Sequence, residues 1–301
     1  MTRRENLKLM AALGISTVSP HWLSLAENIS GRAIPSSGEL LPVVGLGTWK
    51  TFDVGPSARE REPQKNILIN LLAKNGIVVD TSPMYGASET IIGDLSTQLQ
   101  KNDQLFIATK VWTTGKQAGI NQMNHSFELL KREQIDLMQI HNLVDWKTHY
   151  KTLQQWKEEG KIKYIGITHY VNSAHDEIMD IMKSVQLDFV QINYSLTARN
   201  IQNRLLRLAE EKKVAIMVNQ PFNGGSIFNL VKNKTLPPWA HEFDCTTWPE
   251  FFLKYILADP AVTCVIPGTS NPKHMTENLM AGFGRLPNAD ERKKMISFIE
   301  S

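Results

Sequence analysis

From about residue 32 onward, short apolar runs alternate with longer amphipathic stretches. The runs VVGLGTW, IVVD, LFIATK, DLMQIH, KYIGIT, FVQINY, VAIMVN and TCVIPG mostly lack a strict in–out alternation, as expected of strands covered on both faces. Between them, KNILINLLAKNG, SETIIGDLSTQL, NQMNHSFELLKRE, TLQQWKEEG, AHDEIMDIMKS, IQNRLLRLAEEK, WPEFFLKYILAD and PKHMTENLM repeat apolar residues at helical spacing. Asn75-Gly76 stops the first helix, and Ser36-Ser37-Gly38 marks a turn ahead of the first strand. Counted from Val43, eight strands are each followed by a helix, and NADERKKMISFIE adds one more helix. Eight such units over roughly 265 residues fit one α/β domain, a (β/α)8 TIM barrel over residues 32–301. A doubly wound open sheet is the competing arrangement, since it alternates in the same way.

Composition narrows the reading. The chain has 301 residues, 42% hydrophobic and 21% charged, enough for one large core or two modest ones. A net charge of +3 without a basic block gives no reason to expect nucleic acid as a partner. No apolar run reaches the length of a membrane span. Cys245 and Cys264 lack metal-ligand spacing and leave one disulfide open, and no metal is expected. The first residues differ from the rest: Arg3 and Arg4, then Lys8, a weakly apolar segment from Leu9 to Val18, and Pro20. This order resembles a twin-arginine signal, with Asn6 where a large apolar residue is usual, so residues 1–31 read as a leader. It implies the twin-arginine export machinery as a partner and a periplasmic location. A frayed N-terminal helix of a cytoplasmic protein is the alternative.

In a barrel of this type, function collects at the C-terminal ends of the strands. The second run ends in Asp80, the third in Lys110 and the fourth in His141, and Tyr85 follows Asp80 by one short loop. Each has an ordinary reading: a helix-capping aspartate, a solvated lysine, a structural histidine. Together they form a chain of causes. Tyrosine is a weak acid, with a pKa near ~10. A neighbouring ammonium favours the phenolate and is expected to lower that value. A buried ammonium in turn needs a carboxylate. Asp80, Lys110 and Tyr85 supply that set, with His141 placed to hydrogen-bond a substrate oxygen, and the set suits protonation of a carbonyl as hydride reaches its carbon.

At this point the sequence resembles the aldo-keto reductases. VVDTSPMYGASE is similar to that family's Asp-x-x-x-x-Tyr-Gly-x-x-Glu signature, IATKVW to its lysine strand and DLMQIHN to its histidine strand. The resemblance covers residues 33–290. It implies a catalytic tetrad of Asp80, Tyr85, Lys110 and His141, with Tyr85 as proton donor, and a substrate pocket lined by Trp49, Trp112 and Asn142. The implied activity is NAD(P)H-dependent reduction of aldehydes or ketones, with a small-molecule carbonyl substrate. NADP(H) is the expected cofactor, and NAD(H) stays open.

The cofactor side is more irregular. GLGTWK has Gly45 and Gly47 but no third glycine, so a Rossmann site has no support. VIPGTSNPKHMTENL instead places Gly268, Thr269 and Ser270 before a helix with Asn271 as N-cap and Pro272 in its first turn, a phosphate-binding arrangement in barrels. The resemblance adds Gly47, Thr48, Lys273, His274, Glu277 and Asn278, and gives Gln191 a contact to the nicotinamide carboxamide. It also exposes departures. Thr168 and His169 replace a serine-asparagine pair, Asn219 replaces an aromatic that stacks on nicotinamide, with Phe222 as a substitute, and Gly268 and His274 replace basic phosphate ligands. Those departures keep a second class of function in view, a cofactor-binding accessory barrel with little turnover. A hydrolase or lyase using Asp80 and His141 would leave Lys110 and Tyr85 without roles.

Overall fold

The computed structural model describes residues 29–301. The leader expected over residues 1–31, including Arg3 and Arg4, therefore lies outside the described residues except for its last positions. Those positions belong to the fold: Ile29 is buried, Ser30 N donates to Gly282 O at 2.9 Å, and Gly31 opens the first strand.

A short antiparallel hairpin, β1 (Gly31–Ala33) and β2 (Leu40–Pro42), precedes the sheet. Eight parallel strands then follow in chain order: β3 (Leu46–Gly47), β4 (Val78–Asp80), β5 (Phe106–Val111), β6 (Ile135–His141), β7 (Ile162–Thr168), β8 (Phe189–Asn193), β9 (Ala215–Asn219) and β10 (Val262–Val265). The first strand's segment meets the last. Gly45 N donates to Val265 O at 2.8 Å, Val265 N to Val43 O at 2.9 Å, and Gly47 N to Pro267 O at 3.1 Å. These bonds close the ring, which decides against the open sheet and gives a (β/α)8 barrel. Gly47 is required at the seam, because a Cβ there would stand 2.7 Å from Ile266 O.

Each strand leads into a helix: α1 (Ala58–Ala73), α2 (Ser88–Gln98), α3 (Lys116–Leu130), α4 (Trp146–Glu158), α5 (His175–Ser184), α6 (Leu205–Lys212), α7 (Trp248–Leu257) and α8 (Pro272–Met280). The tail helix is α9 (Ala289–Glu300). Helix α1 starts ahead of the apolar repeat at Lys65, because Ser57 and Glu60 form a capping box that secures its polar first turns. Cys245 and Cys264 are buried and unpaired. Among the described residues, no helix is long and apolar enough to cross a membrane.

Side-chain alternation sets up the site. Inward-facing Val78, Phe106, Ala108, Leu137, Tyr164, Phe189, Ala215, Met217, Cys264 and Ile266 form one apolar cluster inside the barrel, joined by Ile34 and Leu41 from the hairpin side. Stepping two residues along each strand stays on the same face and reaches Asp80, Lys110, Gln139 and then His141, Gln191 and Asn219. Thr168 stands two residues beyond Gly166, whose lack of a side chain leaves room for Gln139: an added Cβ would lie 3.1 Å from Gln139 Cγ. An apolar floor thus supports a polar layer at the C-terminal end of the barrel.

Candidate active site

The strand ends bring Asp80, Lys110 and His141 together as the sequence suggests, and the loop after β4 returns Tyr85 to them. Lys110 is fully buried; its Nζ donates to Asp80 Oδ2 at 2.8 Å and to Thr81 O at 2.6 Å. The same nitrogen stands 4.9 Å from the centroid of the Tyr85 ring. Tyr85 meets the His141 ring edge-on, centroids 5.9 Å apart. Ser82 Oγ lies 3.2 Å from His141 Nδ1 and orients the imidazole. The tight turn depends on Gly86, whose φ is +60° and where a Cβ would clash with the Asp53 carboxylate at 2.2 Å. Asp53 Oδ1 meanwhile accepts from Ala87 N at 3.0 Å, tying the turn to the loop after β3.

Electrostatics assign the protons. Burial opposes the charge on Lys110, but Asp80 and Tyr85 more than offset it, and its pKa sits above the ordinary lysine value. His141 is held down to about 3 by burial, then by the Lys110 charge and by His169, so its ring is neutral at physiological pH. Tyr85 departs from expectation. Burial raises its pKa, Lys110 opposes this and Asp80 adds to it, and the net direction is upward. The ammonium acts in the anticipated sense, yet desolvation of the phenol outweighs it. Tyr85 is therefore firmly protonated, the form a proton donor needs. Glu89 of the same signature is buried behind the site, where Thr109 Oγ1 donates to it at 2.5 Å and Ser126 Oγ at 3.2 Å.

Sequence reading missed Gln139 and Ser82. Gln139 Nε2 donates to Asp80 Oδ1 at 3.1 Å, and Gln191 Nε2 donates to the same oxygen at 2.6 Å. Asp80 thus receives two amides on one oxygen and the ammonium on the other. Its spacing could have revealed Gln139: it lies two residues before His141 on one strand.

The predicted pocket walls are at the rim. Trp49 and Trp112 are both exposed, and the Trp112 ring is 6.3 Å from that of His141. Gln122 fixes the Trp112 backbone from both sides, accepting from its N at 2.6 Å and donating to its O at 3.2 Å. Asn142 follows His141 with φ of 52°, and its Oδ1 is buried without a partner.

Residues expected at the cofactor fall into three groups. Gly47 and Thr48 stand at the barrel seam, where Thr48 Oγ1 donates to Asp80 O at 2.9 Å. Thr168, His169, Gln191 and Asn219 form one network at the ends of β7, β8 and β9. Thr168 Oγ1 donates to Gln191 Oε1 at 3.1 Å, and Asn219 Nδ2 donates to His169 O at 3.0 Å. His169 Nδ1 accepts from Tyr170 N at 2.9 Å, which leaves the ring proton on Nε2. Phe222 packs on Phe228, centroids 5.0 Å apart. The third group surrounds the start of α8. Asn271 caps it by accepting from Lys273 N at 3.0 Å, and Thr269 Oγ1 accepts from Asn271 N at 3.0 Å. Gly268 pairs with Gly47 across the seam, and Ser270 is exposed in the same loop. Lys273 is 81% exposed, with Glu277 at 3.8 Å, and His274 Nε2 lies 3.4 Å from Asn271 Nδ2. Asn278 is buried. A capped helix N-terminus beside a loop free of acidic side chains fits a dinucleotide phosphate. No cluster of three or more metal-ligating side chains occurs among the described residues.

A model of the Aldo/keto reductase family matches residues 43–293. The chain belongs to that family. Similar proteins include the NADH-specific methylglyoxal reductase of Escherichia coli, 25% identical over 305 residues, covering 82% of this chain and 91% of the relative. The aldose reductase of Encephalitozoon cuniculi is 23% identical, covering 81% of this chain and 86% of that one. Among solved structures, an aldo/keto reductase from Klebsiella pneumoniae in complex with NADP and acetate superposes with a TM-score of 0.70 at 20% identity, covering 87% of this chain and 93% of that one. The holo form of an aldo-keto reductase from Bacillus halodurans gives 0.72 at 22% identity, with 90% and 96% covered. This aldo-keto reductase therefore shares its barrel with enzymes whose sequences have diverged widely from it.

Proposed function

We propose that this aldo-keto reductase reduces an aldehyde or ketone to an alcohol with NAD(P)H. The observation that carries the reading is the buried Lys110–Asp80 pair at 2.8 Å beneath a protonated Tyr85. A bound dihydronicotinamide supplies the hydride. His141, neutral and oriented by Ser82, holds the carbonyl oxygen, and Tyr85 delivers its proton there as negative charge develops. Lys110 stabilises the tyrosinate left behind, and Asp80 keeps Lys110 charged and fixed. Trp49 and Trp112 form the entrance walls. An intact tetrad favours turnover over an accessory role.

For the cofactor we favour NADPH, with the exposed Lys273 beside the α8 N-terminus, now 3.8 Å from Glu277, as the cation for a 2′-phosphate. The Escherichia coli relative is named as NADH-specific, and the Klebsiella pneumoniae structure holds NADP. Steady-state reduction of a carbonyl panel that includes methylglyoxal and 4-nitrobenzaldehyde, run with each dinucleotide, tests both parts. NADPH is expected to give the higher kcat/KM, and Lys273→Ala to erase that preference. Absence of turnover with either dinucleotide would favour the accessory reading.

For location we propose export through the twin-arginine route, on the strength of Arg3, Arg4 and the apolar segment after them. Tagged protein in a bacterium with that route should fractionate to the periplasm, and the Arg3→Lys/Arg4→Lys variant to the cytoplasm. Wild-type protein found only in the cytoplasm overturns the proposal.

A further inference from the structure

The polar layer fixes the orientation of one side chain after another, starting from a group whose role is unambiguous. Asp80 accepts hydrogen bonds, so the amide nitrogens of Gln139 and Gln191 must face it. The Gln191 amide nitrogen also reaches Gln139 Oε1 at 3.3 Å, which occupies its second hydrogen. The Gln191 oxygen is thereby turned away from Asp80, and it accepts from Thr168 Oγ1 at 3.1 Å and Asn219 Nδ2 at 3.4 Å. Asn219 Nδ2 further donates to the His169 carbonyl, which can only accept. Neither neighbour tolerates the flipped amide. Asn219 Oδ1 is what remains: a buried acceptor with no donor against it, at the C-terminal end of β9. Buried acceptors left unpaired are uncommon and call for a partner.

We infer that Asn219 Oδ1 accepts a hydrogen bond from the carboxamide NH2 of the nicotinamide, an assignment that rests on the dinucleotide reading above. Chemistry selects that group. The hydride-bearing carbon must approach the carbonyl held by Tyr85 and His141, and the carboxamide is attached to the adjacent ring carbon. Its NH2 is the donor that the reacting end of the cofactor carries, whereas an aldehyde or ketone substrate needs none. Gln191, by contrast, already has both amide hydrogens and its oxygen engaged within the protein. In this chain Gln191 is a positioning residue, and Asn219 makes the contact. The network also connects that contact to Asp80 through Gln191, so nicotinamide recognition and the tetrad share one hydrogen-bonded frame.

The test is binding of reduced dinucleotides, followed by fluorescence, against their 3-acetylpyridine analogues. These keep the ring and the carbonyl but replace the NH2 with a methyl group. The wild-type protein is expected to bind the analogue about tenfold more weakly. Asn219→Leu, close in volume, should bind both within about twofold of one another, chiefly by losing affinity for the natural cofactor. Equal affinities in the wild-type protein overturn the inference without any variant. Discrimination retained in Asn219→Leu overturns it too. Failure of the wild-type protein to bind NADPH or NADH at all would remove both the inference and the proposed function, an outcome separate from the other two.

Discussion

Tyr85→Phe is expected to lower kcat for carbonyl reduction by about 10³-fold, within the 10²–10⁴ range of a lost general acid, while cofactor affinity stays within about twofold of wild type. The substitution removes one oxygen and leaves the ring against His141 and above Lys110. Packing is thereby conserved and the effect isolates the proton. Two features of the pH profile follow. Tyr85 sits above its ordinary pKa because burial outweighs Lys110, so the wild-type alkaline limb for reduction should lie above about pH 10. His141 is neutral down to about pH 3, so no inflection should occur near an ordinary histidine pKa. Steady-state kinetics across pH, with dinucleotide titrations of both proteins, check these together. Tyr85→Phe with wild-type turnover would show that the proton comes from elsewhere.

Much of this was legible in the sequence for one physical reason. A barrel strand is covered on both faces, so its apolar run ends abruptly where the chain reaches the open end of the barrel. Asp80, Lys110 and His141 are each the first ionisable residue at such an end, and Tyr85 is bound to them by a turn that Gly86 requires. Elements without apolar periodicity escaped notice. The β1–β2 hairpin has three residues per strand and exposed positions in both, and the first turns of α1 are charged and held by the Ser57–Glu60 cap. The 3-10 segment Asn223–Val231 is broken at Gly224 and Gly225, whose φ values are 63° and 91°, and Pro238–Phe243 has only six residues, so neither carries a helical repeat. Gln139 was hidden for the opposite reason, as one polar residue within an apolar strand.

What residue types cannot supply is the balance between competing effects. An ammonium beside a phenol lowers its pKa and burial raises it, and only the packed site shows that burial dominates at Tyr85. The orientation of Asn219 at the end of β9 likewise follows from a relay through Gln191 on β8, Thr168 at the end of β7 and His169 just beyond it. The departures from the family pattern on the nicotinamide side form one internally consistent network.

Lys110→Met should be the most damaging substitution to stability in the site. The side chain is fully buried and pairs with Asp80, itself nearly so. Removing the ammonium leaves a buried carboxylate with two amide donors and no countercharge, a loss of roughly 3–5 kcal/mol for a buried pair broken on one side. Thr81 O loses its donor at the same time. Asp80→Asn in the Lys110→Met background should restore at least half of that loss. The neutral amide needs no countercharge, and its oxygen still accepts from Gln139 and Gln191. Turnover should not return with stability. Without Lys110, nothing opposes the burial that keeps the proton on Tyr85, and the tyrosinate formed during reduction is left unstabilised. Denaturant melts of the wild type, both single variants and the double variant give the coupling energy, and reduction assays on the same samples give activity. A double variant as unstable as Lys110→Met alone would mean that the lysine serves by packing rather than charge. One that recovers turnover along with stability would remove Lys110 from the proton-transfer step altogether.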